Sequence, residues 1–121
     1  MLIAYWIVAA LLAVFYLYSG VMKLVRSRQQ LEPMMKWVAR APMAGVRVIG
    51  LLEVLAAVGL ILPPLTGIAP WLALAAAIGL VLVQIGATAL HLARGEARQL
   101  GLNVALLVLA AVEIWLATVW L

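Results

Sequence analysis

No cysteine occurs in the 121 residues. That removes disulfides, thiolate metal sites, iron–sulfur clusters and thiol redox chemistry. Histidine occurs once, as His91, so one chain cannot assemble a multi-histidine metal site or a bis-histidine haem. The expectation is no metal and no covalently held cofactor. Charge is scarce as well: 10% of the residues are Asp, Glu, Lys or Arg, against about 25% in an ordinary soluble domain. Acids are scarcest, with four in all: Glu32, Glu53, Glu96 and Glu113. The net charge of +4 comes without a basic groove or a motif of interleaved aromatics, so nucleic acid is not an expected partner.

Apolar residues fill the space that charge leaves, at 69% of the chain with a mean hydropathy of +1.26. A soluble core of this length cannot hide so much apolar surface, so lipid or another protein must be the solvent. The expected fold is all-α, a four-helix transmembrane bundle formed by residues 1–121 as one domain. Residues 1–22 carry no charge and have neither the basic start nor the short apolar core of a cleavable signal peptide, so they read as the first membrane helix, ending at Lys23. Pro42 is placed to start a second span over residues 43–62, and Pro63-Pro64 to stop it. Twenty residues at about 1.5 Å each reach across a bilayer. A third span is expected over residues 70–92, stopped by Gly95, and a fourth over residues 101–121. Between the first two, Leu31, Met34, Met35 and Val38 recur at helical spacing after Pro33. This stretch is either a short amphipathic helix on the membrane surface or a plain loop.

All eight basic residues fall on the first and third loops or beside them: Lys23, Arg26, Arg28, Lys36, Arg40 and Arg47, then Arg94 and Arg98. The positive-inside rule puts both loops in the cytoplasm, giving an N-out, C-out topology. Tyr5, Trp6, Trp71, Trp115 and Trp120 then mark the outer boundary and Trp37 the inner one.

Ionisable groups in lipid are costly, so each needs a reason. Glu53 lies roughly 10 Å into the second span. Gly50 and Ala57 share its face and would let another helix come close. Gln84, Thr88 and His91 share one face of the third span, and Tyr16, Ser19 and Lys23 one face of the first. Turned toward each other, these stripes make a polar pocket open to the cytoplasm, with Glu53 as its one deep acid. Two readings of Glu53 stand: a structural pair with Lys23, or a ligand, proton or substrate site with Lys23 and His91 as the other catalytic candidates. Tyr16, Ser19, Gln84, Thr88 and Asn103 are the ligand-binding candidates. For His91, a solvated interfacial histidine is the plainer reading. Glu113 lies about 18 Å into the fourth span, beyond the midplane, on a face with Asn103, Leu106 and Ala110. It is either a buried neutral acid or a second site, where it could meet its own copy in a homodimer. Small residues crowd the third span, and Gly79 and Gly86 there point to close packing, within the bundle or between subunits.

Several segments together resemble the DoxX-like family of small bacterial membrane proteins. They are Ser19-Gly20-Val21-Met22-Lys23-Leu24, Gly50-Leu51-Leu52-Glu53-Val54-Leu55 continuing to Pro63, Thr66-Gly67, His91-Leu92-Ala93-Arg94-Gly95-Glu96, and Asn103. The resemblance covers nearly the whole chain. It implies a multi-pass protein of the bacterial inner membrane, and polar family positions at Lys23, Glu53 and His91. Glu113 lies outside that pattern. The namesakes include membrane subunits linked to thiosulfate oxidation with quinone as acceptor, so quinone is the cofactor the resemblance points to. Three functions follow as alternatives: redox or lipophilic-substrate chemistry around Glu53, a non-catalytic anchor or assembly partner for another membrane or redox protein, and a small proton-coupled transporter.

Overall fold

The computed structural model describes residues 2–31, 43–93, 95 and 97–121. Four long helices dominate it: α1 (Leu2–Val25), α3 (Met43–Thr66), α4 (Leu72–Ala93) and α5 (Ala97–Ala117). The four-residue α2 (Arg28–Leu31) follows α1, and a 3-10 turn (Thr118–Trp120) follows α5. All four long helices contain a stretch long and apolar enough to cross a membrane, so this is a multi-pass membrane protein. Most of the expected surface helix, including Met34, Met35 and Val38, lies outside the described residues, as do Trp37, Arg94 and Glu96. The part that is described shows a capping box. Ser27 Oγ accepts from the Gln30 amide at 3.3 Å, and the Gln30 side chain returns a bond to the Ser27 amide at 2.9 Å. Leu31 is then buried against Val46, Met22 and Met43.

The helices alternate in direction and form a ring: α1 packs on α3, α3 on α4, α4 on α5, and α5, most sparsely, back on α1. One end of the ring carries Lys23, Arg26 and Arg47 and is called the basic end here; the other carries Tyr5, Trp6, Trp71 and Trp120 and is the aromatic end.

Buried positions explain the arrangement. On α1 they are Tyr5, Ala9, Leu12, Tyr16, Ser19 and Lys23, with Gly20 beside them. On α3 they are Val46, Gly50, Glu53, Ala57, Leu60 and Pro64. On α4 they are Ala73, Ala77, Leu80 and Gln84. On α5 they are Asn103, Leu106, Ala110, Glu113, Leu116 and Ala117. The steps alternate between three and four residues along α1, α3 and α4, and along α5 from Asn103 to Glu113, the 3.5-residue period of left-handed bundles. The outward positions, among them Ile7, Leu11, Val14 and Tyr18 on α1, are exposed and suit lipid.

Pro63 and Pro64 do not stop α3, which continues to Thr66. Proline at 64 removes the donor that the Leu60 carbonyl would receive in a regular helix. The Tyr5 hydroxyl of α1 donates to that carbonyl instead, at 2.7 Å. The last turn is closed by the Gly67 amide on the Pro63 carbonyl at 3.0 Å and by the Thr66 hydroxyl on the Leu62 carbonyl at 2.8 Å. Gly67 itself sits at φ +74°, a conformation that ends helices.

Candidate functional site in the basic half of the bundle

α1 and α3 touch backbone to backbone at one crossing. A methyl group on Gly20 would lie 2.7 Å from the Gly50 carbonyl oxygen, and one on Gly50 would lie 2.7 Å from Lys23 Cβ. Glycine at both positions is what permits the approach. Gly79 and Gly86 are different: a methyl group on either meets nothing within 4 Å among the described residues, so neither glycine sits at a close helix crossing there.

That crossing brings Lys23 onto Glu53. The ammonium donates to Glu53 Oε1 and to Ser19 Oγ, the latter at 2.8 Å. Both charged residues are buried, Lys23 at 7% and Glu53 at 2% exposure, so neither keeps a full hydration shell and each depends on the other. The Arg47 guanidinium of α3 donates to the Lys23 backbone carbonyl. This carbonyl belongs to the last turn of α1, where a cation both fills an empty acceptor and suits the helix dipole.

One register step toward the aromatic end, each long helix contributes one polar side chain to a common level: Tyr16, Glu53, Gln84 and Asn103. The Tyr16 hydroxyl donates across the ring to Gln84 Oε1 at 2.6 Å, and Gln84 Nε2 donates to Asn103 Oδ1 at 2.8 Å. The chain of bonds runs in one direction and ends on Asn103 Nδ2, a buried donor with no partner among the described residues. An unmatched buried donor costs about 1–3 kcal/mol, so this level has one hydrogen bond left to give.

Tyr16, Ser19, Lys23, Glu53, Gln84 and Asn103 are therefore brought together. Thr88 is not part of this network, because its hydroxyl returns to the Gln84 carbonyl of its own helix at 2.7 Å. His91 lies half-buried in the last turn of α4, at the basic end. Glu113 sits at the opposite end, separated by two apolar levels, Leu12, Ala57, Leu80 and Leu106, then Ala9, Leu60, Ala77 and Ala110. Among the described residues no three of His, Asp and Glu gather as metal ligands. Sequence reasoning missed the structural part of Tyr5. Its signal was available: a tyrosine on the core face of α1 facing a carbonyl that Pro64 leaves without a donor.

In comparison with known proteins, the sequence model of the DoxX-like family matches residues 7–112. Neither the curated proteins nor the solved structures give a match.

Proposed function

This chain belongs to the DoxX-like family, and we propose that it holds a carbonyl-bearing lipophile, a quinone first among them, against the Tyr16–Glu53–Gln84–Asn103 level. The observation that carries this reading is the orphan Asn103 Nδ2, a buried donor that a ligand carbonyl oxygen would match. A quinone so bound would supply two-electron redox capacity. The protein's part is to receive it and set its position. Asn103 donates, while Gln84 and Tyr16 fix the direction of the Asn103 amide. The Lys23–Glu53 pair brings compensated charge to that level through Glu53, and His91 stands at the basic end as a charge or relay group. In this reading the basic end faces the cytoplasm and the membrane is the bacterial inner membrane, following the positive-inside rule.

Native mass spectrometry of protein released from nanodiscs made with native lipid tests it. A discrete lipophile retained by the wild type and lost from Asn103→Leu and Glu53→Gln supports the proposal. Phospholipid alone, the same in all three proteins, refutes it.

A second reading, a non-catalytic anchor or assembly partner, has its own observation: Lys23 and Glu53 already satisfy each other inside the bundle. It predicts that Glu53→Gln lowers stability and leaves any ligand response unchanged. The transporter reading, which takes Glu53 as a single exchanging acid, has no comparable support, because Glu53 is already paired with Lys23.

A further inference from the structure

The level that carries the proposed lipophile site has a direction. The Tyr16 hydroxyl gives its proton to Gln84 Oε1 at 2.6 Å, Gln84 Nε2 gives one to Asn103 Oδ1 at 2.8 Å, and Asn103 Nδ2 is left as the free donor. A carboxamide carries an oxygen at one tip and an NH2 at the other, nearly equal in shape. Turning it over exchanges acceptor for donor with little movement of heavy atoms. Turning Gln84 alone would set its oxygen against Asn103 Oδ1. Turning Asn103 alone would set its NH2 against that of Gln84. The two amides therefore turn together or not at all. Turned together, Asn103 Nδ2 donates to Gln84 Oε1, Gln84 Nε2 donates to the Tyr16 oxygen, and the free group becomes Asn103 Oδ1. The same place in the fold then offers an acceptor, which fits a ligand hydroxyl, whereas the form in the structure fits a ligand carbonyl.

Tyr16 decides between the two forms, because a phenol has a single proton to give. In the structure Gln84 Oε1 takes it. In the turned form Gln84 faces Tyr16 with N–H groups, and the proton loses that acceptor. Water is no ready substitute, since Tyr16 is 2% exposed and its ring is held edge to face against Phe15 at 5.2 Å. Phenylalanine at this position removes the bias: each form then leaves one tip of Gln84 unmatched, the oxygen in one and the NH2 in the other. We propose that Tyr16 is a positioning residue that holds this level in its donor form, and so makes the site prefer a carbonyl to the matching alcohol, a quinone to its quinol. The inference rests on the lipophile reading above and adds a direction to it: the site takes up the oxidised form and lets the reduced form go.

The test compares the two redox forms of one probe. Wild type, Tyr16→Phe, Gln84→Leu, Asn103→Leu and Tyr18→Phe are placed in nanodiscs. Binding of menadione, and of its quinol kept reduced with dithionite, is measured by equilibrium dialysis and corrected with protein-free discs. The readout is the ratio of the two dissociation constants, which a general loss of stability does not move. The wild type is expected to bind the quinone about tenfold tighter than the quinol, the cost of stranding one buried donor. Tyr18→Phe, which removes a hydroxyl from the exposed lipid face, keeps that ratio. Tyr16→Phe brings it to within about threefold of one. Gln84→Leu cuts the link from Tyr16 to Asn103, so it has the same effect and covers the case in which Tyr16→Phe fails to fold. A wild-type ratio retained by these two variants overturns the role of Tyr16 and leaves the lipophile site standing. So does a wild-type ratio near one, with quinone binding still lost in Asn103→Leu. Wild-type binding no better than that of Asn103→Leu removes the lipophile site itself, and this inference with it.

Discussion

Replacing Gly50 with alanine puts a methyl group where there is no room for one. Its carbon would lie 2.7 Å from Lys23 Cβ and 2.8 Å from the Gly20 carbonyl oxygen, at least about 0.6 Å inside ordinary contact on both sides. Neither neighbour is the free end of a flexible chain. One is backbone and the other is the first carbon of a side chain whose ammonium is held by Glu53 and Ser19. Relief has to come from parting α1 and α3, which also loosens the Lys23–Glu53 contact. Overpacking of this kind costs about 1–3 kcal/mol. The assay is reversible unfolding in mixed micelles or bicelles, with Gly79→Ala as the matched control because a methyl group there meets nothing within 4 Å. Gly50→Ala should lose about 1–3 kcal/mol, and Gly79→Ala should stay within roughly 0.5 kcal/mol of wild type. Equal stability of the two variants would show that the glycine crossing does not set the α1–α3 distance.

Three further outcomes follow from the same contacts. Tyr5→Phe should cost about 0.5–1.5 kcal/mol, and less in a Pro64→Ala background, where the restored amide can serve the Leu60 carbonyl; the same unfolding assay run as a double-mutant cycle checks the coupling. Lys23→Met alone should cost about 3–5 kcal/mol by stranding Glu53, while Lys23→Met combined with Glu53→Leu should recover most of the loss; additive effects would mean that the pair is not energetically coupled. Asn103→Leu removes the unmatched donor but also the acceptor for Gln84, so its stability should change by less than about 1 kcal/mol while lipophile retention disappears. A loss of stability without a change in retention would assign Asn103 to structure alone.

The helices were legible because the signal for them is compositional: long uncharged runs between charged or proline-bearing breaks. The polar stripes were legible too. Tyr16, Ser19 and Lys23 repeat at helical spacing, which sufficed to place them inside the bundle beside Glu53, whereas of the stripe Gln84, Thr88 and His91 only Gln84 joins the network. The finer register was harder to see. When both faces of a helix are apolar, a hydrophobicity pattern cannot distinguish core from lipid, and only the small and polar residues at three- and four-residue steps mark the inner seam. Gly20 and Gly50 lie on that seam, whereas Gly79 and Gly86 do not, and residue type alone could not separate the two pairs. Proline chemistry misled for a related reason. Pro63-Pro64 removes amide donors in any helix, but whether the helix ends there depends on a donor from elsewhere, and Tyr5 stands 55 positions away from Leu60.

That long-range donor bears on the order in which the chain can be built. During synthesis α1 leaves the ribosome before α3, so Tyr5 and Lys23 are already in the bilayer when Leu60 and Glu53 arrive. Each latecomer carries a group that lipid alone cannot satisfy, a bare carbonyl in one case and a carboxylate in the other. The first helix therefore serves as a membrane-embedded template for the insertion of the third. A circularly permuted gene that delivers α3 before α1 would present the same contacts to the finished protein, but would ask α3 to enter the bilayer without them.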